Sequence, residues 1–417
     1  MKTFKSTQFL KKFQEQTVNY DWWLVGVVTT LVVGGLAFLA SALATAGIFS
    51  FQSEFLKQLV FGVWFGTVLA FILARIDYHF WFENKNKLLL VTLLLLGFIG
   101  IFILVADLLK IPRETLISQF SFSPVKPYSA NGAVRWISIV FLPNFQPSEL
   151  AKLTVLIYFA AFLNKLKPEE ITWMNLKKPV YAFALVSSLI LFQPDLGTVV
   201  LLAVIVLSAM WLAKTPLKIL LTLGIIVAIA GSILTLTYGY RRNRFEALFN
   251  PDSSVASQVS LGQIAIQRGG LFGLGYGNSE SKQKGLIYEG STDLIVTIIA
   301  EEMGFVFTLL FLSLYLFLIF RSLQIAKNAP DVGGSAIAIG IGVWLSTQAF
   351  LNLAGILGLL PLKGFPLPFV SEGGSSMVLN LMAVGVLLNV SSQSSVDKKY
   401  IPITSKNKSK FGKGFSV

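Results

Sequence analysis

Cysteine is absent from the 417 residues, and histidine occurs once, as His79. The first absence excludes disulfides, thiol nucleophiles and cysteine-ligated metals, and the second leaves no basis for a histidine-built metal centre. Charge is scarce too: Asp, Glu, Lys and Arg make up 13% of the chain, where a soluble protein carries roughly 25%. Acids are also fewer than bases, 21 against 34, for a net charge of +13. Much of that excess lies in the tails and short loops, where membrane proteins collect it, so nucleic acid is not expected as a partner.

What fills the chain is apolar sequence, 54% of all residues. Runs of about 20 such residues recur from end to end, the length that crosses a bilayer as a helix. The expected fold is all-α, a polytopic membrane protein with about ten transmembrane helices and long extracytoplasmic loops. The spans are read at 21–42, 57–76, 87–108, 148–165, 179–193, 195–213, 216–238, 293–320, 335–360 and 373–392. Residues 1–20 form a basic tail, 21–392 the membrane domain, and 393–417 a lysine-rich tail expected to be disordered and held near anionic lipid. The first apolar run is too long for a cleavable leader and reads as a retained anchor. Lys and Arg concentrate in the N-terminal tail, in the segments around Lys85, Lys165 to Lys178, Lys214 and Arg321, and after Lys398. By the positive-inside rule both termini are cytoplasmic, and the loops 109–147 and 239–292 face outward.

The unusual polar residues all fall on that outer side. Arg135 and Trp136 sit in an apolar stretch of the first long loop; Trp136 is either an interface anchor or a substrate contact. Pro147 and Ser148 open a span with Glu149 in its first turn and Lys152 three residues on, on the same face. That pair either fixes helix packing or serves a substrate. In the turn FQPDLGT, 192–198, Asp195 or Thr198 would cap the next helix. The run Arg241 to Arg244 suits a lipid headgroup or a diphosphate. The run GGLFGLGYG, 269–277, lacks a preceding strand and a P-loop lysine, so nucleotide is not expected; its glycines permit tight turns and close backbone approach. Asp293 enters the eighth span, either as a cap and dipole partner or as a working acid, and Glu301 and Glu302 follow two turns in. The last outer loop, 361–376, is rich in proline and glycine, and Lys363 and Glu372 could face the same cavity.

With those residues in hand, the chain resembles the SEDS family, the FtsW and RodA proteins of bacterial cell-wall synthesis. The likeness rests on GAVRWISI, FQPSELAKL, FQPDLGT, QRGGLFGLGYGNS, STDLIVTIIAEEMGF and LPLKGFPLPFVSEGGSS, in family order. The resemblance implies a peptidoglycan glycosyltransferase in the bacterial cytoplasmic membrane that polymerises lipid II outside the cell. It puts the catalytic acid at Asp293 and the family's outer-loop tryptophan at Trp136. Glu149 and Lys152 match the family's paired charges. Arg135, Lys152, Arg241, Arg242 and Lys363 are candidate holders of the diphosphate, and Ser375 lies in the matching SEGGSS motif. A divalent cation, Mg2+ or Mn2+, is compatible with that substrate, although no dedicated metal motif is visible. The implied partners are a class B penicillin-binding protein acting as transpeptidase, lipid II, membrane lipid and other division or elongation proteins. Three positions depart from the family pattern: Ser291 stands for the usual His, Ile287-Tyr288-Glu289 for LPE, and Glu372 for Tyr. The competing readings are a lipid II flippase or sugar-lipid transporter, and a non-catalytic division scaffold.

Overall fold

The computed structural model describes residues 20–44, 48–120, 123–130, 133–139, 143–237, 254–283, 291–361 and 364–397. Helix boundaries follow local chemistry. α1 (Trp22–Leu43) starts where the Asp21 carboxylate accepts from the Leu24 amide at 3.0 Å. The next apolar stretch is α2 (Ile48–Lys57), a wide π turn over Gln58–Trp64, and α3 (Phe65–Arg75). A short α4 (Tyr78–Glu83) leads into α5 (Lys85–Leu109). α7 (Pro147–Leu163) opens on proline, whose fixed φ suits a first helical turn. It is followed by α8 (Trp173–Phe192) and α9 (Leu196–Leu212). Asp195 caps α9, accepting from the Thr198 amide at 3.1 Å and its hydroxyl at 2.7 Å. α10 (Leu217–Thr237), α13 (Ile295–Asn328), α14 (Val332–Ile356) and α15 (Gly374–Asp397) complete the long helices.

Each predicted span overlaps one of these helices. Seven of them are long and apolar enough to cross a membrane by length and composition, whereas Leu196–Leu212 is apolar but shorter. The chain is a multi-pass membrane protein. α7, α9 and α14 form the interior, with α13 and α15 packed against α14 and α3 against α15. α10 lies at the edge, and its Leu221, Ile225, Ile229, Ile233 and Leu236 are exposed, as lipid-facing side chains should be.

The loops hold more structure than the sequence suggested. The first contains α6 (Arg113–Gln119) and an antiparallel hairpin, β1 (Val125–Ala130) with β2 (Ala133–Ile139). Val134 and Ile137 pack with Ile99, Phe102 and Ile103 of α5 in a second small core. The other long loop contains α11 (Ser254–Gly269) and α12 (Glu280–Gln283), and α11 packs along α13.

Between α11 and α12 the glycine-rich turn lies against a break in α13. Gly304 has φ 80° and ψ 175°, and the helix backbone opened there is repaired from outside. The Phe305 amide donates to Gly270 at 2.9 Å, while Leu274 and Gly275 donate to the Glu301 and Glu302 carbonyls at 3.0 and 2.9 Å. The glycines here serve close backbone approach to a helix, as expected from their run. A Cβ at Gly304 would collide with the backbone of Leu271, Phe272 and Gly273. Gly304→Ala is therefore expected to destabilise the protein by about 1–3 kcal/mol. A thermal unfolding curve superimposing on that of the unsubstituted chain would refute this account of the kink.

The ends of four elements meet at His79. Its Nδ1 lies 2.8 Å from Asp77 and its Nε2 2.7 Å from Asp331, the residue that caps α14. Burial pushes the His79 pKa down, but the hydrogen bonds and charges of Asp77 and Asp331 outweigh it and the net direction is up. A raised folded pKa stabilises fully below the unfolded value, and the gain is lost as pH rises through the folded one. The side chain is 43% exposed, so solvent screening keeps the gain below about 1 kcal/mol. Unfolding temperature should thus fall slightly from mildly acidic to alkaline pH, and His79→Phe should flatten that slope. An unchanged slope in the variant would exclude His79 as its source.

Candidate active site around Asp293

Asp293 stands in the turn 291–294, just ahead of α13, whose cap is Leu294. It therefore precedes the helix instead of lying in its first turn. Asn352 fixes it by backbone: the side-chain amide donates to the Asp293 carbonyl at 2.8 Å and to the Phe365 carbonyl at 2.7 Å. The 364–373 loop closes over the carboxylate. Gly364 has φ 69°, and a Cβ there would fall 2.8 Å from Asp293 Oδ2. Glycine at this position lets the loop backbone approach the acid.

Asn352 is the outer member of a polar row on α14. Trp344, Gln348 and Asn352 are four apart and share one buried face. Gln348 donates to the Pro366 carbonyl at 2.9 Å and accepts from Trp344 Nε1 at 3.0 Å and from Lys152 Nζ at 3.0 Å. Lys152 also lies 4.6 Å over the Trp344 ring and pairs with Glu149 at 2.8 Å. Both members of that pair are buried, with side chains 1% and 8% exposed. The predicted pair thus exists, and it is wired through Gln348 to the same loop that covers Asp293.

Ser375 sits at the start of α15. Its hydroxyl donates to the Asn144 carbonyl at 2.5 Å and accepts from the Gln146 amide at 3.1 Å, holding the entry to α7. Arg135 is engaged with the FQPD turn, donating to the carbonyls of Gln193 at 3.0 Å and Pro194 at 2.8 Å. Trp136 is half-buried on β2, opposite Tyr128, with the two rings edge to face at 6.4 Å. Arg241, Arg242 and Lys363 lie outside the described residues.

The structure adds residues that sequence reasoning passed over. The row Trp344, Gln348, Asn352 was visible as polar positions at helical spacing in an apolar run. Gln58, at the π turn, is buried; it donates to the Ser371 carbonyl at 3.3 Å and accepts from the Gly373 amide at 3.2 Å. Glu54 stands one turn before it and pairs at 2.8 Å with Lys57, which immediately precedes Gln58. Among the described residues, no three or more His, Cys, Asp or Glu side chains are grouped to hold a metal ion.

Glu301 and Glu302 are fully buried beyond this site. Glu302 pairs with Lys282 Nζ at 2.6 Å and accepts from the Ser41 hydroxyl at 2.6 Å. Glu301 accepts from the Ser279 and Ser281 hydroxyls. The two acids anchor the segment that carries the glycine turn.

An apolar bundle with an acid held over one end by a proline- and glycine-rich loop describes a polytopic membrane protein with a built polar site. Comparison with known proteins gives the family. Residues 21–396 match the family described as cell cycle protein, comprising FtsW, RodA and SpoVE, and the chain belongs to it. It is 33% identical over 399 residues to a probable peptidoglycan glycosyltransferase FtsW of Trichlorobacter lovleyi, covering 93% of this chain and 96% of that one. Among solved structures it is similar to a chain from a peptidoglycan synthase complex that coordinates polymerization and crosslinking. There the TM-score is 0.72 and the identity 25%, covering 90% of this chain and 99% of that one. The rod shape determining protein RodA of Thermus thermophilus gives a TM-score of 0.63 at 26% identity, covering 90% and 97%.

Proposed function

We propose that this chain is a peptidoglycan glycosyltransferase that polymerises lipid II on the outer face of the bacterial cytoplasmic membrane. The observation that carries the reading is Asp293, held by Asn352 and closely covered at Gly364, at the end of the bundle where the charge distribution puts the outside. In the reaction, the 4-hydroxyl oxygen of the acceptor sugar bonds to the anomeric carbon of the donor. The bond from that carbon to the diphosphate breaks, and the lipid diphosphate leaves with the electron pair. Asp293 takes the hydroxyl proton as general base. A single displacement inverts the anomeric carbon and needs no enzyme nucleophile.

Arg135 and Lys152 are occupied in holding the FQPD turn and the loop, so their part is to position. The diphosphate then falls to Arg241, Arg242 and Lys363, whose cationic side chains suit it. Mg2+ or Mn2+ would neutralise the same charge. A class B penicillin-binding protein is the expected partner, a reading supported by the likeness to a chain of a peptidoglycan synthase complex.

The test is lipid II polymerisation by the purified chain with its cognate penicillin-binding protein, transpeptidation being blocked. Long glycan products are expected. Transbilayer movement of lipid II without polymer would replace this reading with the flippase.

A further inference from the structure

α13 runs from the Asp293 turn to the other end of the bundle, the end that the charge distribution puts in the cytoplasm. A cavity of about 220 Å³ opens there. Tyr20 and Asp21 line it from the start of α1, Arg321, Gln324 and Asn328 from the last turns of α13, and Ser391 from α15. Arg321 is held from two sides. Its Nη2 donates to the Asp21 carboxylate at 2.5 Å, and its Nη1 donates to the Gln324 side-chain oxygen. Asp21 is fixed in turn, because its other oxygen caps α1 and its amide donates to the Ser391 hydroxyl at 3.3 Å.

Two polar groups at this cavity are left over. Arg321 Nε and the Tyr20 hydroxyl are buried and have no hydrogen-bond partner among the described residues. Leaving a buried donor unpaired is costly, and an arginine nitrogen only donates. An occupant that satisfies both groups therefore brings oxygen acceptors, and a phosphate presents several to an arginine. The surface beside the cavity shows which kind of phosphate fits. Trp22 and Trp23 follow Asp21 directly and are 69% and 68% exposed, and Phe320, next to Arg321, is 51% exposed. Exposed tryptophans sit at the headgroup level of a bilayer. Trp23 packs edge to face on Phe317 at 6.3 Å, and Phe317 lies 6.3 Å from Phe320, so an aromatic face of α1 and α13 borders the cavity on its apolar side. A free phosphate would use the cavity alone, whereas a phospholipid uses both the cavity and the face.

We propose that this cavity binds the phosphodiester headgroup of one inner-leaflet glycerophospholipid. Arg321 Nε and the Tyr20 hydroxyl donate to the phosphate oxygens, and the acyl chains lie over Trp23, Phe317 and Phe320. Asp21 already balances the Arg321 charge, so recognition rests on hydrogen bonds to the phosphate, and anionic and zwitterionic headgroups are bound alike. The site is separate from Asp293 and does not rest on the polymerase reading.

The experiment is a titration of the full chain, stripped of lipid in detergent, with dioleoylphosphatidylglycerol or dioleoylphosphatidylethanolamine, bound lipid being counted by native mass spectrometry. One molecule of either lipid is expected to bind saturably, and dioleoylglycerol, which lacks the phosphate, is not. Tyr20→Phe and Arg321→Lys should each weaken binding at least about tenfold, as for loss of a hydrogen bond to a charged group. Lysine keeps a cation for Asp21, and phenylalanine changes no charge. Lys327→Gln, an exposed charge one turn beyond the cavity, should bind as the unsubstituted chain does. If Arg321→Lys lowers the lipid-free unfolding temperature, Tyr20→Phe, which touches no ion pair, decides the matter alone. Binding unchanged in Tyr20→Phe, uptake without saturation, or equal binding of dioleoylglycerol would overturn the proposal. Inorganic phosphate that competes with the lipid for the cavity would make it a site for soluble phosphate and overturn the lipid assignment.

Discussion

Asp293→Asn is expected to lower lipid II polymerisation by at least about a hundredfold, the lower range for loss of a general base. Asparagine has nearly the shape of aspartate but cannot take the proton of the acceptor hydroxyl. The hydrogen bond from Asn352 goes to the backbone carbonyl of residue 293, so the substitution leaves that anchor intact. Gly364 already admits a side chain of this size at close range. The variant should therefore fold, bind its partner and unfold at the same temperature as the unsubstituted chain while making no long glycan. Equal product from both proteins would remove Asp293 as the base.

The second large effect is expected inside the bundle. Lys152→Ala removes in one step the partner of Glu149, the cation over Trp344 and a donor to Gln348. Glu149 would be left without its cation in a site where it is almost fully buried, and breaking a buried pair from one side costs about 3–5 kcal/mol. Replacing both partners by neutral groups of similar shape, Glu149→Gln with Lys152→Met, should recover much of that loss, because no unpaired charge remains. The measurement is denaturant or thermal unfolding in detergent for the two single substitutions and the double. A single variant as stable as the unsubstituted chain, or a double variant no better than Lys152→Ala, would show that the pair is not what holds α7 to α14.

The long apolar runs were legible in the sequence because a bilayer permits little else, and each run found its helix. Local caps were legible because they act at short range: Asp195 acts within three residues of its own position. The Glu149 and Lys152 pairing was also readable from helical spacing. Contacts between distant segments were not. Nothing near Lys282 announces that it will meet Glu302, and nothing in the second span announces that Gln58 will reach Ser371 and Gly373. The hairpin and the helix Ser254–Gly269 escaped because polar loops carry weak periodicity and their packing is decided by neighbours such as α5 and α13. Ser375 and Arg135 were read as substrate contacts on chemistry and motif alone; in the fold their polar atoms are engaged with backbone at Asn144, Gln146, Gln193 and Pro194.

The buried acids Glu301 and Glu302 also bear on how the chain is made. Among the described residues their side-chain partners, Ser41, Ser279, Ser281 and Lys282, precede them in the sequence. Synthesis runs from the N-terminus, so when the ribosome reaches the two glutamates, these four partners already exist. The segment carrying Lys282 is made some twenty residues earlier and need only stay close for the acids to enter the bundle matched. A circular permutant that began between Lys282 and Glu301 would reverse that order and present two bare carboxylates to the membrane before their partners had been translated.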